Sequence, residues 1–187
     1  MIKLYLMGMK GLVSLRKLDT SFLTEIETVT IGRDSNVQND YSRDIEDTCK
    51  FLRLNYEFRG DPTSTKTNKT KASFAIGWRW MIETKSLLIV FHDSLLPQNR
   101  GFNPLVTSLI NRDSMIGVTA LKAANEFDTG PICGQLSLRV DYPIKIERAI
   151  KQISILYAQL LNQSIDKLLN GELTFNEQDE EKATYSL

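Results

Sequence analysis

The residues with the greatest capacity for chemistry lie between positions 89 and 130. His92, the only histidine among the 187 residues, begins the run HDSLLP and follows an apolar stretch at 87–90. A neutral imidazole is a base and a protonated one is a hydrogen-bond donor, so a single ring can move a proton in either direction. Open α/β sheets place their chemistry in the crevice beyond the carboxyl ends of their strands. The sequence therefore predicts a functional site around His92, in a region that closes on Asp128.

The elements that must position this site alternate between strands and helices. Apolar runs bounded by turn residues predict strands at 2–7, 29–31, 56–58, 72–76, 87–91, 116–120 and 132–140. Helical spacing of apolar residues predicts helices over 12–18, 40–54, 104–110 and 146–161. This alternation predicts an α/β fold, a doubly wound and mostly parallel sheet with helices on both faces. We expect one domain over residues 1–170, followed by a C-terminal extension or the start of a linker at 171–187.

Turn and cap residues mark several boundaries. Gly8 and Gly11 predict a tight turn between the first strand and the first helix, because glycine tolerates positive φ. Asp40 is a candidate N-cap, and Gly171 is a candidate C-terminal cap of the last helix. Residues 60–71 are the most polar stretch and predict a mobile surface loop, whose three lysines are either solvated or meet an anionic substrate. After Gly171 the chain is acidic and polar, and we predict no helix or strand at its C-terminal end.

The composition excludes several classes of function. Twenty-three acidic side chains balance twenty-three basic ones, so no overall field attracts nucleic acid or an anionic membrane. No apolar run reaches the ~20 residues of a membrane span, and no signal-peptide cleavage site follows the first residues. Cys49 and Cys133 lack metal-ligand spacing, and with a single histidine no metal site is predicted. These features predict a reduced, cytoplasmic protein.

Three segments within residues 87–135 carry a family resemblance: HDSLLPQNRG, NPLVTSLINRD and IGVTALKAANEFDTGPICGQ. They resemble the 10-formyltetrahydrofolate-dependent formyltransferase family. The run EKATYS at 181–186 is similar to the linker that follows the catalytic domain in sugar and methionyl-tRNA formyltransferases. The resemblance implies a Rossmann-like formyltransferase domain that uses 10-formyltetrahydrofolate as its formyl donor and holds no metal.

The family's catalytic group is an Asn-x-His pair with a distant aspartate, and this chain has two of these three residues. The resemblance maps the histidine to His92 and the aspartate to Asp128, whereas Val90 stands at the position of the asparagine. In relatives that amide holds the formyl oxygen as negative charge develops on it. The implied hypothesis is that Asp128 orients and charges His92, which stabilises the oxyanion, and that a water near Asp128 shuttles the proton. Asn99, Asn103 or backbone N–H groups after His92 are candidates to replace the missing donor.

The resemblance also implies binding residues. The predicted pterin contacts are Trp80, Met81, Ile82, Leu96, Asn125, Glu126 and Phe127. The predicted substrate contacts are Gly8, Lys10, Arg100 and Asn103. Trp78 and Trp80 can equally be core or interface aromatics. Ser94 has no second histidine and no GxSxG elbow to activate it, so we interpret it as a residue that shapes the loop.

The implied acceptor is the amine of a nucleotide-linked amino sugar, as used in surface polysaccharide biosynthesis. Methionyl-tRNA is disfavoured by the end of the chain at Leu187 and by the formal charge of zero. A carrier-bound aminoacyl group stays open as an acceptor. Because of Val90, a folate-binding homologue with impaired catalysis is the main alternative, and hydrolysis of the formyl donor is a third. The predicted partner is a small-molecule amine, not nucleic acid or a membrane, and homodimerisation stays open.

Overall fold

A seven-stranded sheet organises the chain, of which the computed structural model describes residues 1–61 and 70–186. The strands are β1 (Ile2–Leu6), β2 (Ile26–Ile31), β3 (Tyr56–Phe58), β4 (Ala72–Ile76), β5 (Leu87–His92), β6 (Arg100–Gly101), β7 (Met115–Lys122), β8 (Ile132–Arg139) and β9 (Tyr185–Ser186). The sheet order is β3-β2-β1-β4-β5-β7-β8, while β6 and β9 pair separately. Strands β1 to β5 are parallel, and β7 and β8 are antiparallel additions. The predicted α/β class with a mostly parallel sheet is confirmed.

Helices flank the sheet unequally. In the described part of the chain they are α1 (Gly8–Arg16), α2 (Ser42–Leu52), α3 (Pro104–Ile110) and α4 (Ile146–Leu169), with 3₁₀ turns at Thr20–Glu25 and Glu180–Lys182. Helix α1 contacts both α2 and α4, so these three form one layer. The short α3 begins on Pro104, as predicted, because a helix start does not need the missing N–H. It lies beside the loop that follows His92, since Asn99 Nδ2 donates to Ser108 Oγ at 3.2 Å.

The end of α4 has the predicted glycine cap. Gly171 adopts a φ of +72°, a conformation that costs glycine little. Its N–H donates to the Leu168 carbonyl at 3.3 Å, and the N–H of Glu172 donates to the Lys167 carbonyl at 2.8 Å. These two bonds form a Schellman motif, which satisfies the last free carbonyls of the helix.

The two faces of the sheet differ in polarity. Ile2, Leu4 and Leu6 of β1 are fully buried in the core beneath the helical layer. Lys3 and Tyr5 alternate with them and therefore point to the opposite face. Of their register partners on that face, Thr28, Thr30 and Ser73 are polar, and Ala75 is apolar. Parallel strands covered on both faces usually read as continuous apolar runs, so this half of the sheet is built to have one polar face.

Two predicted boundaries differ from the structure at the starts of helices. Gly8 is itself the first residue of α1, so no separate glycine turn precedes that helix. Helix α2 begins at Ser42, two residues after Asp40, with Tyr41 as the N-cap residue. Asp40 nevertheless acts as a cap, because its Oδ1 accepts the Ser42 N–H at 3.0 Å.

The chain after Gly171 differs most from expectation. We predicted no element at its end, and this was wrong: β9 pairs in parallel with β6. A further bridge joins Asn176 to Ile132, with N–H to O distances of 2.8 and 2.9 Å. Most of the predicted loop at 60–71 lies outside the described residues, since 62–69 are not described. In the ranges 1–61 and 70–186, no helix is both long and apolar enough to cross a bilayer.

Both cysteines are buried as free thiols. Cys49 lies on the buried side of α2, and Cys133 lies on β8, where its Sγ contacts the Ala120 carbonyl at 3.4 Å. Burial raises the pKa of the Cys49 thiol to about 12 and that of Cys133 to about 11. Neither thiol is therefore ionised at neutral pH, and neither is available as a nucleophile or metal ligand.

We predict that Gly117→Ala destabilises the fold more than Gly134→Ala. An added Cβ at Gly117 would lie 2.4 Å from Leu95 Cδ2 and 2.7 Å from the Leu136 carbonyl oxygen, whereas at Gly134 it would meet only Leu160 Cδ1 at 2.8 Å. The backbone of β8 cannot move aside as a leucine methyl group can. The expected loss of unfolding free energy for Gly117→Ala is about 1–3 kcal/mol by urea denaturation. Equal losses in the two variants would contradict this account.

Candidate active site

His92 and Asp128 come together at the carboxyl end of β5. His92 is the last residue of that strand, and only 8% of it is exposed. Its Nδ1 lies 3.3 Å from Asp128 Oδ1, a carboxylate that reaches it from the loop between β7 and β8. The two residues predicted to act as a pair are therefore neighbours, although they are 36 positions apart in the sequence.

The other ring nitrogen of His92 also faces an oxygen. Its Nε2 lies 2.8 Å from the backbone carbonyl of Asn99. A neutral imidazole can donate from only one nitrogen, whereas the protonated ring donates from both. Acceptors on both sides thus suit a ring that carries its proton during part of a reaction cycle. A substrate oxygen that accepts from Nε2 must share or replace the bond to Asn99.

The Asp128 carboxylate is fixed independently of the histidine. Its Oδ2 accepts the backbone N–H of Gly101 at 3.0 Å, so its two oxygens have different partners. Asp128 itself has a φ of +60°, a left-handed conformation that only a minority of non-glycine residues adopt. Thr129 Oγ1 donates to the Glu126 carbonyl at 3.1 Å and closes the turn around it. The carboxylate is therefore aimed at the imidazole by its own loop.

Thr119 holds the loop after His92 against β7. This buried hydroxyl donates to the Ser94 carbonyl at 2.7 Å and accepts the Leu96 N–H at 3.1 Å. Gln135 on β8 adds bonds to Thr119 Oγ1 and to the Leu96 carbonyl, both at 2.8 Å. Ser94 Oγ donates to the Gln98 carbonyl at 2.6 Å, which agrees with a loop-shaping role. Gln135 is not among the residues predicted for the site, and its signal in the sequence is a polar side chain between the apolar residues of the predicted strand.

The proposed substitute donors have different positions. Asn99 uses its side-chain amide on Ser108, and its N–H donates to Thr184 Oγ1 at 2.8 Å. Asn99 therefore contributes its carbonyl to His92 and does not supply the missing donor, which corrects that expectation. Asn103 is exposed at the start of α3, with a φ of +52°, and stays a candidate. Val90 lies two residues before His92 on β5 and is half-buried, pairing with Leu121 of β7.

Arg100 does not have the predicted role of a substrate contact. Its residue is 1% exposed, and its Nη1 and Nη2 donate to Glu180 Oε2 and Oε1 at 2.8 and 2.6 Å. Its Nε and Nη2 also donate to Gln178 Oε1, at 3.2 and 2.9 Å. Because its donors are engaged inside the protein, we correct the prediction that Arg100 binds substrate.

Lys10 is likewise paired within the protein. Its Nζ forms an ion pair with Asp93 Oδ2, and the other oxygen of Asp93 accepts the Tyr157 hydroxyl from α4. Burial by itself raises the pKa of the Asp93 carboxyl, but the Lys10 charge and the two hydrogen bonds overcome it and hold this pKa below its usual value. Burial and the Asp93 carboxylate raise the pKa of the Tyr157 hydroxyl. Lys10 thus has an ion-pair partner within the protein, Gly8 is the first residue of α1, and both stay predictions as substrate contacts.

The predicted pterin contacts fall into two groups. Met81 and Ile82 line a cavity of about 1040 Å³ whose other walls include Lys3, Tyr5 and Ser73 on the polar face of the sheet. His92 and Asp128 are not among its lining residues, so the structure does not bring this group to the pair. Trp80 packs edge-on against Trp78, with ring centroids 5.1 Å apart. This packing agrees with the alternative that the two tryptophans are core or interface aromatics.

The second group lies beside the pair in sequence. Asn125, Glu126 and Phe127 are exposed in the turn that carries Asp128, whereas Leu96 is buried at 3% exposure. All these contacts stay predictions. Among residues 1–61 and 70–186, no group of three or more histidine, cysteine or acidic side chains could hold a metal ion.

A family model described as "Formyl transferase" matches residues 80–163, the segment that contains both His92 and Asp128. The chain is 27% identical over 152 residues to a methionyl-tRNA formyltransferase of Pelagibacter ubique. That alignment covers 80% of this chain and 49% of the relative. The chain thus spans about half the length of this curated relative.

Solved structures share the fold. An N-formyltransferase from Helicobacter canadensis, in complex with folinic acid and dTDP-3-aminofucose, matches with a TM-score of 0.77 and 16% identity, over 99% of this chain and 70% of the other. A 4-N formyltransferase from Francisella tularensis matches with a TM-score of 0.71 and 19% identity, over 99% and 75%. At these identities the likeness shows the fold, and the predicted Rossmann-like formyltransferase architecture is confirmed.

We predict that Asp93→Asn destabilises the protein in a pH-dependent manner. A folded-state pKa below the usual value means that the carboxylate stabilises the fold above its ordinary pKa and loses this contribution as the pH falls through the folded value. Loss of a charged hydrogen-bond partner costs about 1.5–3 kcal/mol. Urea unfolding should therefore show the full difference between the variant and the wild type at about pH 7 and a smaller one below about pH 4. A difference that is constant with pH would contradict it.

Proposed function

We propose that this chain is a formyltransferase, and that it transfers a formyl group from 10-formyltetrahydrofolate to the amine of a nucleotide-linked amino sugar. The observation that carries the proposal is the 3.3 Å contact between His92 Nδ1 and Asp128 Oδ1 within the family-matched segment. A carboxylate-held imidazole at a sheet's carboxyl edge supplies what an acyl transfer requires, a donor for an oxyanion and a base for a proton.

His92 has the central part in the proposed mechanism. The donor, when bound, supplies an electrophilic formyl carbon, and a neutral amine attacks it. His92 Nε2–H turns from the Asn99 carbonyl to the formyl oxygen and stabilises the negative charge that develops there. Asp128 offsets the positive charge of the ring through Nδ1, while its Oδ2 stays bonded to Gly101. The proton leaves the amine by way of a water beside Asp128 and passes to the folate nitrogen, whose bond to the formyl carbon breaks as the tetrahedral intermediate collapses to the formamide and tetrahydrofolate.

The surroundings of the pair fit a planar, partly apolar donor. Phe127 directly precedes Asp128 and is 73% exposed. An exposed aromatic ring next to Asp128 offers an apolar face to a planar ligand. We propose that Phe127 contacts the pterin, together with the backbone of Asn125 and Glu126 in the same turn.

Two observations support a nucleotide-linked amino sugar as the acceptor. The Helicobacter canadensis neighbour is described in complex with a dTDP-amino sugar, and it covers 99% of this chain. The zero formal charge gives no general attraction to a polyanionic tRNA. A cytoplasmic role in surface glycan synthesis follows as part of the same proposal. Methionyl-tRNA is the second candidate, and the observation that favours it is the sequence match to the Pelagibacter ubique enzyme.

We predict that turnover depends on both members of the pair. In single-turnover assays of tetrahydrofolate release, His92→Ala and Asp128→Asn should each lower the rate by a factor of ~10² to 10³, because each removes oxyanion stabilisation. Glu177→Gln, a change at an exposed position, is the control and should keep the wild-type rate. Decreases of less than about tenfold in both site variants would contradict the assignment of His92 and Asp128 as the catalytic pair.

The same assay separates the acceptors. A panel of dTDP-linked amino sugars and methionyl-tRNA should show amine-dependent release only with a sugar. Release with methionyl-tRNA alone would favour the second candidate. Release that is unchanged by any amine would indicate hydrolysis, and folate binding by calorimetry without release would indicate a binding protein.

We predict that Val90→Asn increases the rate of formyl transfer. The substitution places an amide two residues before His92 on the same face of β5, where the family has its asparagine. One added oxyanion donor is expected to raise the rate by roughly tenfold or more. Val90→Leu matches asparagine in shape but has no donor, so it should not increase the rate. An equal effect of the two substitutions would show that Val90 does not face the reacting oxygen.

A further inference from the structure

Both oxygen atoms that contact the His92 ring belong to residues in a left-handed conformation. Asn99 has a φ of +56° and Asp128 a φ of +60°. Non-glycine residues adopt this region infrequently and stay in it when their surroundings fix them. The geometry of the imidazole therefore depends on whatever holds these two backbone positions.

Residues 176–186, which we call the 176–186 segment, hold the first of these positions. The Asn99 N–H donates to Thr184 Oγ1 at 2.8 Å, and the next N–H, of Arg100, donates to the Thr184 carbonyl at 2.8 Å. Thr184 N–H in turn donates to the Pro97 carbonyl at 3.1 Å. Ser186 Oγ donates to the Arg100 carbonyl at 3.1 Å. The peptide whose carbonyl faces His92 Nε2 is thus held by this segment.

Gln178 of the same segment holds the second position. Its Nε2 donates to the Asp128 carbonyl at 2.7 Å and to the Gly130 carbonyl at 2.8 Å. Its Oε1 accepts from Arg100 Nη2 at 2.9 Å. One amide therefore connects the turn that carries Asp128 with the strand that follows Asn99.

Glu180 completes the connection from the solvent side. Its side chain is 67% exposed, yet it pairs through both oxygens with the buried guanidinium of Arg100. The Tyr185 hydroxyl also accepts from Arg100 Nη1 at 3.4 Å. A buried cation without a partner is costly, so Arg100 keeps the 176–186 segment in place.

We propose that Gln178 is a positioning residue for formyl transfer, and that the 176–186 segment sets the orientation of the His92 ring by fixing Asn99 and Asp128 together. Gln178 does not touch the ring, and it acts through the Asp128 backbone. The catalytic part of this inference depends on the proposed function, whereas the orientation of the ring does not.

The single histidine allows a direct measurement of that orientation. With ¹⁵N-histidine labelling, the NMR signals of the two ring nitrogens belong to His92 alone and report how its protons are shared between Asn99 and Asp128. Gln178→Glu keeps an acceptor for Arg100 but loses both donors to the 128–130 turn. We expect it to move both ring nitrogen signals and to lower kcat by roughly tenfold to a hundredfold, with little change in KM.

Matched variants separate positioning from stability. Glu177→Gln changes the adjacent exposed side chain and should leave both nitrogen signals and kcat at wild-type values. Gln178→Leu removes the bond to Arg100 as well, so it should lower the melting temperature further while moving the ring signals in the same direction. If Gln178→Leu does not fold, Gln178→Glu still decides the question.

The outcomes are distinguishable. Unchanged ring signals in folded Gln178→Glu would overturn the positioning role, whatever the activity. Changed ring signals with an unchanged kcat would overturn its catalytic importance. Changed signals in a protein that shows no formyl transfer to any amine, even in wild-type form, would support the positioning and contradict the proposed function.

Discussion

The site depends on one constraint, which is that each of the two ring nitrogens of His92 faces an oxygen atom. The hydrogen-bond contact with the Asn99 carbonyl on one side and the ion-pair contact with Asp128 on the other together orient the ring in the free protein. Each acceptor belongs to a different loop, one after β5 and one after β7. The two strands are antiparallel neighbours, with His92 opposite Thr119 and Ile89 opposite Lys122, so the loop after β7 must turn back along β5 to bring Asp128 to the ring.

The polarity of the sheet adds a second level of organisation. The helical layer packs on β1, β2, β7 and β8, and the opposite face is closed near β7 by the loop that Thr119 holds. Around β1 and β2 the same face presents Lys3 and Thr30, both joined to Glu57 at 2.7 Å. Apolar burial on one side therefore stabilises the fold, while the other side carries polar groups that form hydrogen bonds among themselves.

Much of this architecture could be predicted from the sequence, because it follows from local patterns. Apolar runs predicted β4 and α3 at their observed bounds, and the segment around His92 and Asp128 identified the pair. The errors concern contacts that local spacing does not encode. Arg100 was predicted to contact substrate. No residue near it in the sequence indicates that its partner is Glu180, which lies 80 positions later. The alternation in β1 predicted a strand, but the polarity of one face became clear only from the register of its neighbours.

The burial of both cysteines has a practical consequence for the labelling of this protein. Cys49 and Cys133 are both protonated and shielded at neutral pH, so maleimides and mild oxidants should react with them slowly in the native state. A cysteine introduced at an exposed position would then be the preferred attachment point for a fluorophore or spin label. The native background of this chain already suits distance measurements between its loops, without prior removal of either natural sulfhydryl.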